Sequence, residues 1–150
     1  MKKACLIFMM LSPAVLANNV DELIGKFEQS NIYSADWYEQ GSSKVAESSN
    51  KYRDIKVNLT ETKGSIAITL TQLSQFNDLS ISPCYKLMDY VAYENSDSWS
   101  DPDTQDELLI RSVFSSKTKV GEENKAELNG WNLSFKRLPS GLTCEVVKSN

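Results

Sequence analysis

Two cysteines, Cys84 and Cys144, restrict the folds available to this chain more than any other feature. A third, Cys5, lies in an N-terminal segment that we expect to be removed, so the remaining pair has one possible connectivity. A disulfide between them would close a loop of about sixty residues and, in the chain-entropy model, stabilise the fold by about 4 kcal/mol. We expect this disulfide; two buried free thiols are the alternative.

The N-terminal segment, residues 1–17, has the composition of a secretory signal peptide. Two lysines precede an apolar run of about a dozen residues, and the small residue Ala17 ends the segment. The run is too short to span a bilayer, and no later segment reaches the roughly twenty apolar residues that spanning needs. We therefore expect a periplasmic or secreted chain that begins at Asn18, has no membrane span, and folds as a single domain over 18–150.

Helical spacing of apolar residues predicts an N-terminal helix over 20–27 and, more weakly, a second over 34–52. A third helix is predicted over 83–94, with Ser82 as its N-cap and Pro83 as its first residue. Four residues of that helix recur at i, i+3, i+4 and i+7 and form its buried face: Cys84, Leu87, Met88 and Val91.

Alternating apolar residues predict strands. The predicted strands are 55–59, 65–73, 108–114, 131–135 and 142–146. Lys63 and Gly64 form the turn of a hairpin between the first two, and a polar connection occupies 115–128. Cys144 points inward, as Leu142 and Val146 do. The pattern predicts an α+β fold in which N-terminal and central helices pack on an antiparallel sheet, joined by one disulfide.

Composition argues against most catalytic chemistry. The chain contains no histidine, which removes the usual general base and the commonest zinc ligand, and oxidised cysteines offer no thiolate nucleophile. Paired carboxylates for glycoside hydrolysis exist in any acidic protein. We expect no enzyme activity, no cofactor and no metal site. Nucleic acid is also an unsuitable partner, because 20 acidic residues outnumber 16 basic ones and no basic stripe is present.

An acidic segment over 94–107 is the main candidate for a binding surface. Its six carboxylates lack the spacing of an EF-hand loop, so it is either a solvated loop, a calcium site or a patch that binds a partner protein. Tyrosine and tryptophan are enriched in interface hot spots. The candidate partner-binding residues are Asp97, Trp99, Asp101, Asp103 and Tyr85.

The segment SISPCYKLMDYV at 80–91 and the final strand GLTCEVV at 141–147 resemble the globular domain of type IV pilins, particularly the type IVb class. The resemblance implies a helix packed on an antiparallel sheet, a disulfide from Cys84 to Cys144, and an exposed variable region over 85–143. In place of the prepilin leader and the long apolar anchoring helix of that family, we expect an ordinary signal peptide followed by a short amphipathic helix. The resemblance therefore implies a pilus or secretion accessory protein.

A different class of function fits the same composition. Small, acidic, disulfide-containing periplasmic domains include immunity proteins, which inhibit a toxic enzyme by occupying its cleft. An acidic segment around Trp99 would suit a basic active site, because complementary charge accelerates association. Both hypotheses predict that the protein acts by binding another protein.

Overall fold

The computed structural model describes most of the chain, in four ranges: 18–29, 36–71, 76–92 and 105–150. The expected signal peptide, 1–17, and most of the acidic segment lie outside these ranges.

The described ranges contain both strands and helices. The strands are β1 (Tyr38–Gln40), β2 (Ser43–Ser49), β3 (Arg53–Leu59), β4 (Lys63–Leu70), β5 (Glu123–Leu128), β6 (Trp131–Leu138) and β7 (Gly141–Lys148). The helices are α1 (Asn18–Gln29), α2 (Asp78–Lys86), α3 (Asp89–Ala92) and α4 (Gln105–Val113).

All seven strands form one antiparallel sheet in the order β1-β2-β3-β4-β7-β6-β5. The helices pack on one face of this sheet, which we call the helix side, and share a single apolar core with it. The other face carries no described element, and we call it the open face. Core residues come from alternate strand positions, as a sheet with one covered face requires. Central examples are Ile55, Val57, Ile66, Ile68, Leu133, Phe135 and Val146.

The expected α+β fold is wrong, because the chain is mostly β. The segment predicted as a helix over 34–52 contains β1 and β2. These strands are joined by a two-residue hairpin loop whose first residue, Gly41, has a φ of 64°, as a type II′ turn requires. The polar connection predicted over 115–128 contains β5.

The strand predicted over 108–114 is wrong as well, since these residues belong to α4 and the turn that follows it. Ile110, Val113 and Phe114 are buried, which is the i, i+3, i+4 spacing of one helix face, whereas Leu108 is 57% exposed. Arg111 Nε lies 2.7 Å from Glu107 Oε1, an i,i+4 ion pair that supports a helix.

The central helix begins earlier than predicted. Its N-cap is Asn77, which forms a capping box with Ser80, and Pro83 lies inside α2 rather than at its first position. The helical path is interrupted after Lys86 and resumes in α3. The predicted buried face is nevertheless confirmed, because all four of its residues are at most 1% exposed: Cys84, Leu87, Met88 and Val91.

The predicted hairpin of the first two strands is confirmed as β3 and β4, with Ile55 opposite Ile68. Its turn lies at 60–62 instead of at Lys63 and Gly64, which both belong to β4. The two C-terminal strands are also confirmed, as β6 and β7.

Tyr90 of α3 connects the helices to the β3–β4 turn by a hydrogen bond. Its buried hydroxyl donates to the Thr60 carbonyl oxygen at 2.6 Å and lies 3.3 Å from that of Lys63, and burial raises the pKa of Tyr90. We expect Tyr90→Phe to lower the free energy of unfolding by about 1–2 kcal/mol at neutral pH, because the Thr60 carbonyl oxygen loses this donor. Chemical denaturation of both proteins measures this loss.

The same substitution has a pH signature. A tyrosine pKa that is higher in the folded than in the unfolded chain contributes stability that is complete below about pH 10, the unfolded pKa. This contribution is lost as the pH rises toward the folded pKa, because the unfolded chain ionises first. The wild type should therefore lose stability more steeply above pH 10 than Tyr90→Phe does. Equal slopes would contradict this role of the hydroxyl.

Candidate functional site

The disulfide joins the two layers of the fold. Cys84 of α2 and Cys144 of β7 are bonded, both are at most 1% exposed, and their Cα atoms are 5.8 Å apart. The predicted bridge is thus confirmed. Because β7 is one of the inner strands of the sheet, the bond fixes α2 over the middle of the helix side.

Tyr85 does not present a free hydroxyl to a partner. The Tyr85 hydroxyl donates to the Phe114 carbonyl oxygen at 2.8 Å, and the two rings meet edge to face with centroids 5.9 Å apart. The side chain is half-buried against the core. Tyr85 therefore links α2 to the end of α4.

The other predicted partner-binding residues lie outside the described residues: Asp97, Trp99, Asp101 and Asp103. The structure describes the chain up to Ala92 of α3 and again from Gln105 of α4. Both of these helices belong to the helix side. Asp106 and Glu107 were expected in the same loop but form the first turn of α4, where acidic side chains interact favourably with the helix dipole.

The fold separates charge between its two layers. Segments 18–29 and 76–114, which we call the helix-side segments after the helices they hold, contain eleven acidic and three basic residues. Seven of the acidic residues and all three basic ones lie in the described ranges. Segments 36–71 and 115–150, which hold the strands and their turns, contain nine acidic and eleven basic residues. The excess negative charge of the chain therefore belongs to the helix-side segments.

The centre of the open face consists of small uncharged residues with charged side chains around them. Small residues from adjacent inner strands lie at its centre: Ser65, Ala67, Thr143 and Ser134. Together with Lys56 and Lys136 they line a shallow depression of about 380 Å³. This part of the open face could accommodate a flat polar surface.

Charges on the open face are largely paired with one another. Lys56 Nζ lies 2.7 Å from Glu47 Oε1, and the Tyr38 hydroxyl donates to the same oxygen at 3.0 Å. The hydrogen bonds from Lys56 and then from Tyr38 hold the pKa of Glu47 below its usual value. Lys63 and Glu145 form a second pair across β4 and β7. These exposed pairs contribute little to stability individually, and they leave the face close to neutral.

Sequence reasoning missed one buried charge. Arg137 is 5% exposed, its guanidinium lies 3.6 Å from the centre of the Phe76 ring, and its Nη1 donates to the Gly141 carbonyl oxygen. Burial lowers its pKa. Arg137 occupies an inward position of β6, where the alternation of apolar residues in WNLSFKRL breaks, and that break was the available signal. These contacts indicate a structural role for Arg137 in packing against Phe76 and Gly141.

Among the residues that the structure describes, no three histidine, cysteine, aspartate or glutamate side chains are grouped to hold a metal ion. No helix in the same ranges is long and apolar enough to cross a membrane. Comparison of the chain with protein-family models, with curated proteins and with solved structures found no match. The functional assignment therefore depends on the residues of this chain alone.

Proposed function

We propose that the protein is an exported, non-enzymatic binding protein whose helix side contacts a partner protein with a basic surface. The observation that supports this proposal is the separation of charge, with eleven acidic and three basic residues in the helix-side segments. Such an asymmetric field orients the molecule during encounter and raises the association rate.

The acidic segment over 94–107 is the proposed centre of the contact. Its ends are held by α3 and α4, and α2 is bonded covalently to β7, so the elements that carry the segment are anchored to the sheet. Anchored ends reduce the conformational entropy that a loop loses on binding. The roles of Asp97, Trp99, Asp101 and Asp103 as contact residues are part of the proposal.

A toxic enzyme with a basic active-site cleft is the partner class that this charge layout favours, with the protein acting as its inhibitor. A pilus or secretion component is the second candidate, and its support is the Cys84–Cys144 bridge that the pilin resemblance implied. The genes adjacent to this one discriminate the two, because a neighbouring toxin gene favours inhibition and pilus-assembly genes favour the accessory role.

A capture experiment with two matched variants tests the proposal. The first variant replaces Asp97, Asp101 and Asp103 by Asn. The second removes the same number of charges from exposed positions in the strand segments: Asp36→Asn, Glu39→Gln and Glu61→Gln. We expect immobilised wild type and the second variant to capture the same protein from a periplasmic extract, and the first variant to lose most of it. Equal capture by both variants would contradict a contact at the acidic segment.

A further inference from the structure

The outer edge of β5 is open to another strand. β5 ends the sheet order, and no other strand of the described chain pairs with its outer side. The Arg137 backbone N–H donates to the Glu122 carbonyl oxygen, and hydrogen-bonded positions alternate along an antiparallel pair. The intervening residues therefore direct their backbone N–H and C=O groups away from the sheet: Glu123, Lys125 and Glu127.

The charges along this edge are complementary to a second copy when the two-fold axis lies at Ala126. Two β5 strands paired antiparallel about a two-fold axis at Ala126 place Lys125 of each copy opposite Glu127 of the other. Opposite charges at directly paired positions are stabilising. An axis at Lys125 would instead place this residue opposite itself and Glu123 opposite Glu127, which is repulsive. The charge order therefore disfavours the axis at Lys125. An axis at Asn124 would also pair opposite charges, Lys125 with Glu123, but it pairs only three residues of each β5, whereas the axis at Ala126 pairs five.

Exposed apolar side chains belong to two elements next to β5. Leu108 of α4 and Val120 of the turn before β5 are each 57% exposed. α4 is held against β5 by Asn124, whose Nδ2 donates to the Val113 carbonyl oxygen at 2.9 Å. On the helix side of β5, Ala126 and Leu128 are only partly buried. A second copy at this edge would cover apolar surface as well as backbone groups.

We propose that two copies of the chain associate through antiparallel pairing of their β5 strands, so that one sheet continues across both. The pairing satisfies the outward backbone groups of Lys125 and Glu127 and forms two symmetric ion pairs between these residues. Edge strands that lack a partner commonly pair with another chain in this way. The inference is independent of the proposed function, because it concerns the β5 edge of the sheet and no residue of the acidic segment.

Sedimentation equilibrium of the chain without residues 1–17 tests the association over a range of concentrations. We expect a monomer–dimer equilibrium in the wild type and an increase of at least tenfold in the dissociation constant for Lys125→Glu. Lys136→Glu is the matched control, since it makes the same charge change on the same face one strand inward. The double variant Lys125→Glu, Glu127→Lys should restore the dimer, because the charges exchange places.

Amide hydrogen exchange provides a second readout that depends on the backbone. The N–H groups of Lys125 and Glu127 should exchange slowly in the dimer and rapidly on dilution. A wild type that stays monomeric up to its solubility limit would overturn the proposal. A dimer that Lys125→Glu leaves unchanged, that Lys136→Glu dissociates equally, or that the double variant fails to restore would overturn it too.

Discussion

Gly141→Ala is expected to destabilise the protein by about 3 kcal/mol, or to prevent folding, because β4 leaves no room for a side chain at this position. A Cβ atom on Gly141 would overlap the carbonyl oxygen of Ile68 and lie 2.9 Å from its carbonyl carbon and 3.1 Å from the Cα atom of Thr69. These are backbone atoms inside the sheet, so they cannot move aside as a flexible side chain would.

Relief of this overlap would separate β7 from β4, at the pairing of Gly141 with Thr69. It would also displace the carbonyl oxygen that accepts from buried Arg137. Denaturant unfolding measures the loss.

Gly25→Ala is the matched control, since Gly25 lies inside α1 and a Cβ there meets no atom within 4 Å. It should stabilise the protein by about 0.5–1 kcal/mol. Equal effects of the two substitutions would contradict the packing described for Gly141.

Removal of the disulfide is the second large effect. Cys84→Ala with Cys144→Ala should lower the free energy of unfolding by about 4 kcal/mol, because the bridge spans 60 residues of sequence and restricts the unfolded chain. The corresponding fall in the thermal midpoint is about 10–20 °C for a domain of this size. Differential scanning calorimetry with and without reductant measures it.

Wild type should show the same fall when it is reduced, and the double variant should not respond to reductant. Intact-mass analysis after alkylation without reductant should find no modified cysteine in the chain from which residues 1–17 have been removed. Addition of two alkyl groups would show that the bridge is absent in solution.

Much of the core could be predicted from the sequence, because burial on one face produces a period that can be read directly. The inward direction of Cys84 and of Cys144 followed from the 3.6-residue and two-residue periods of their neighbours, and the bridge confirms both. The β3–β4 hairpin followed in the same way.

The errors concern segments whose apolar pattern is short or sparse. The segment 108–114 was predicted as a strand because a short apolar run suits either structure. The i, i+3, i+4 spacing of Ile110, Val113 and Phe114 and the Glu107–Arg111 ion pair are the helical signals. β5 was missed because its outward positions are charged and only its last two inward residues are apolar. Its signal was the turn: Asn129 and Gly130 have φ angles of 51° and 77°, and Asn-Gly is typical of a type I′ hairpin.

The candidate site could not be predicted from short-range patterns, because it depends on how the helices are placed on the sheet. The sequence shows an acidic segment, but the segregation of charge between the layers emerges only when α1, α2, α3 and α4 are placed on one face of the sheet. The contacts of Tyr85 are likewise non-local, since its hydrogen-bond acceptor is Phe114.

The salt dependence of association tests the central claim most directly. With the captured partner, stopped-flow association rates are measured at low and at physiological ionic strength for wild type and for the two triple variants. The acidic-segment variant, with Asp97, Asp101 and Asp103 replaced by Asn, should associate at least several-fold more slowly at low salt and show a shallower salt dependence, because fewer charges steer the encounter. The strand-segment variant should keep the wild-type rate and slope. If all three proteins associate at the same rate at low salt, the acidic helix side does not guide binding and the proposed function is wrong.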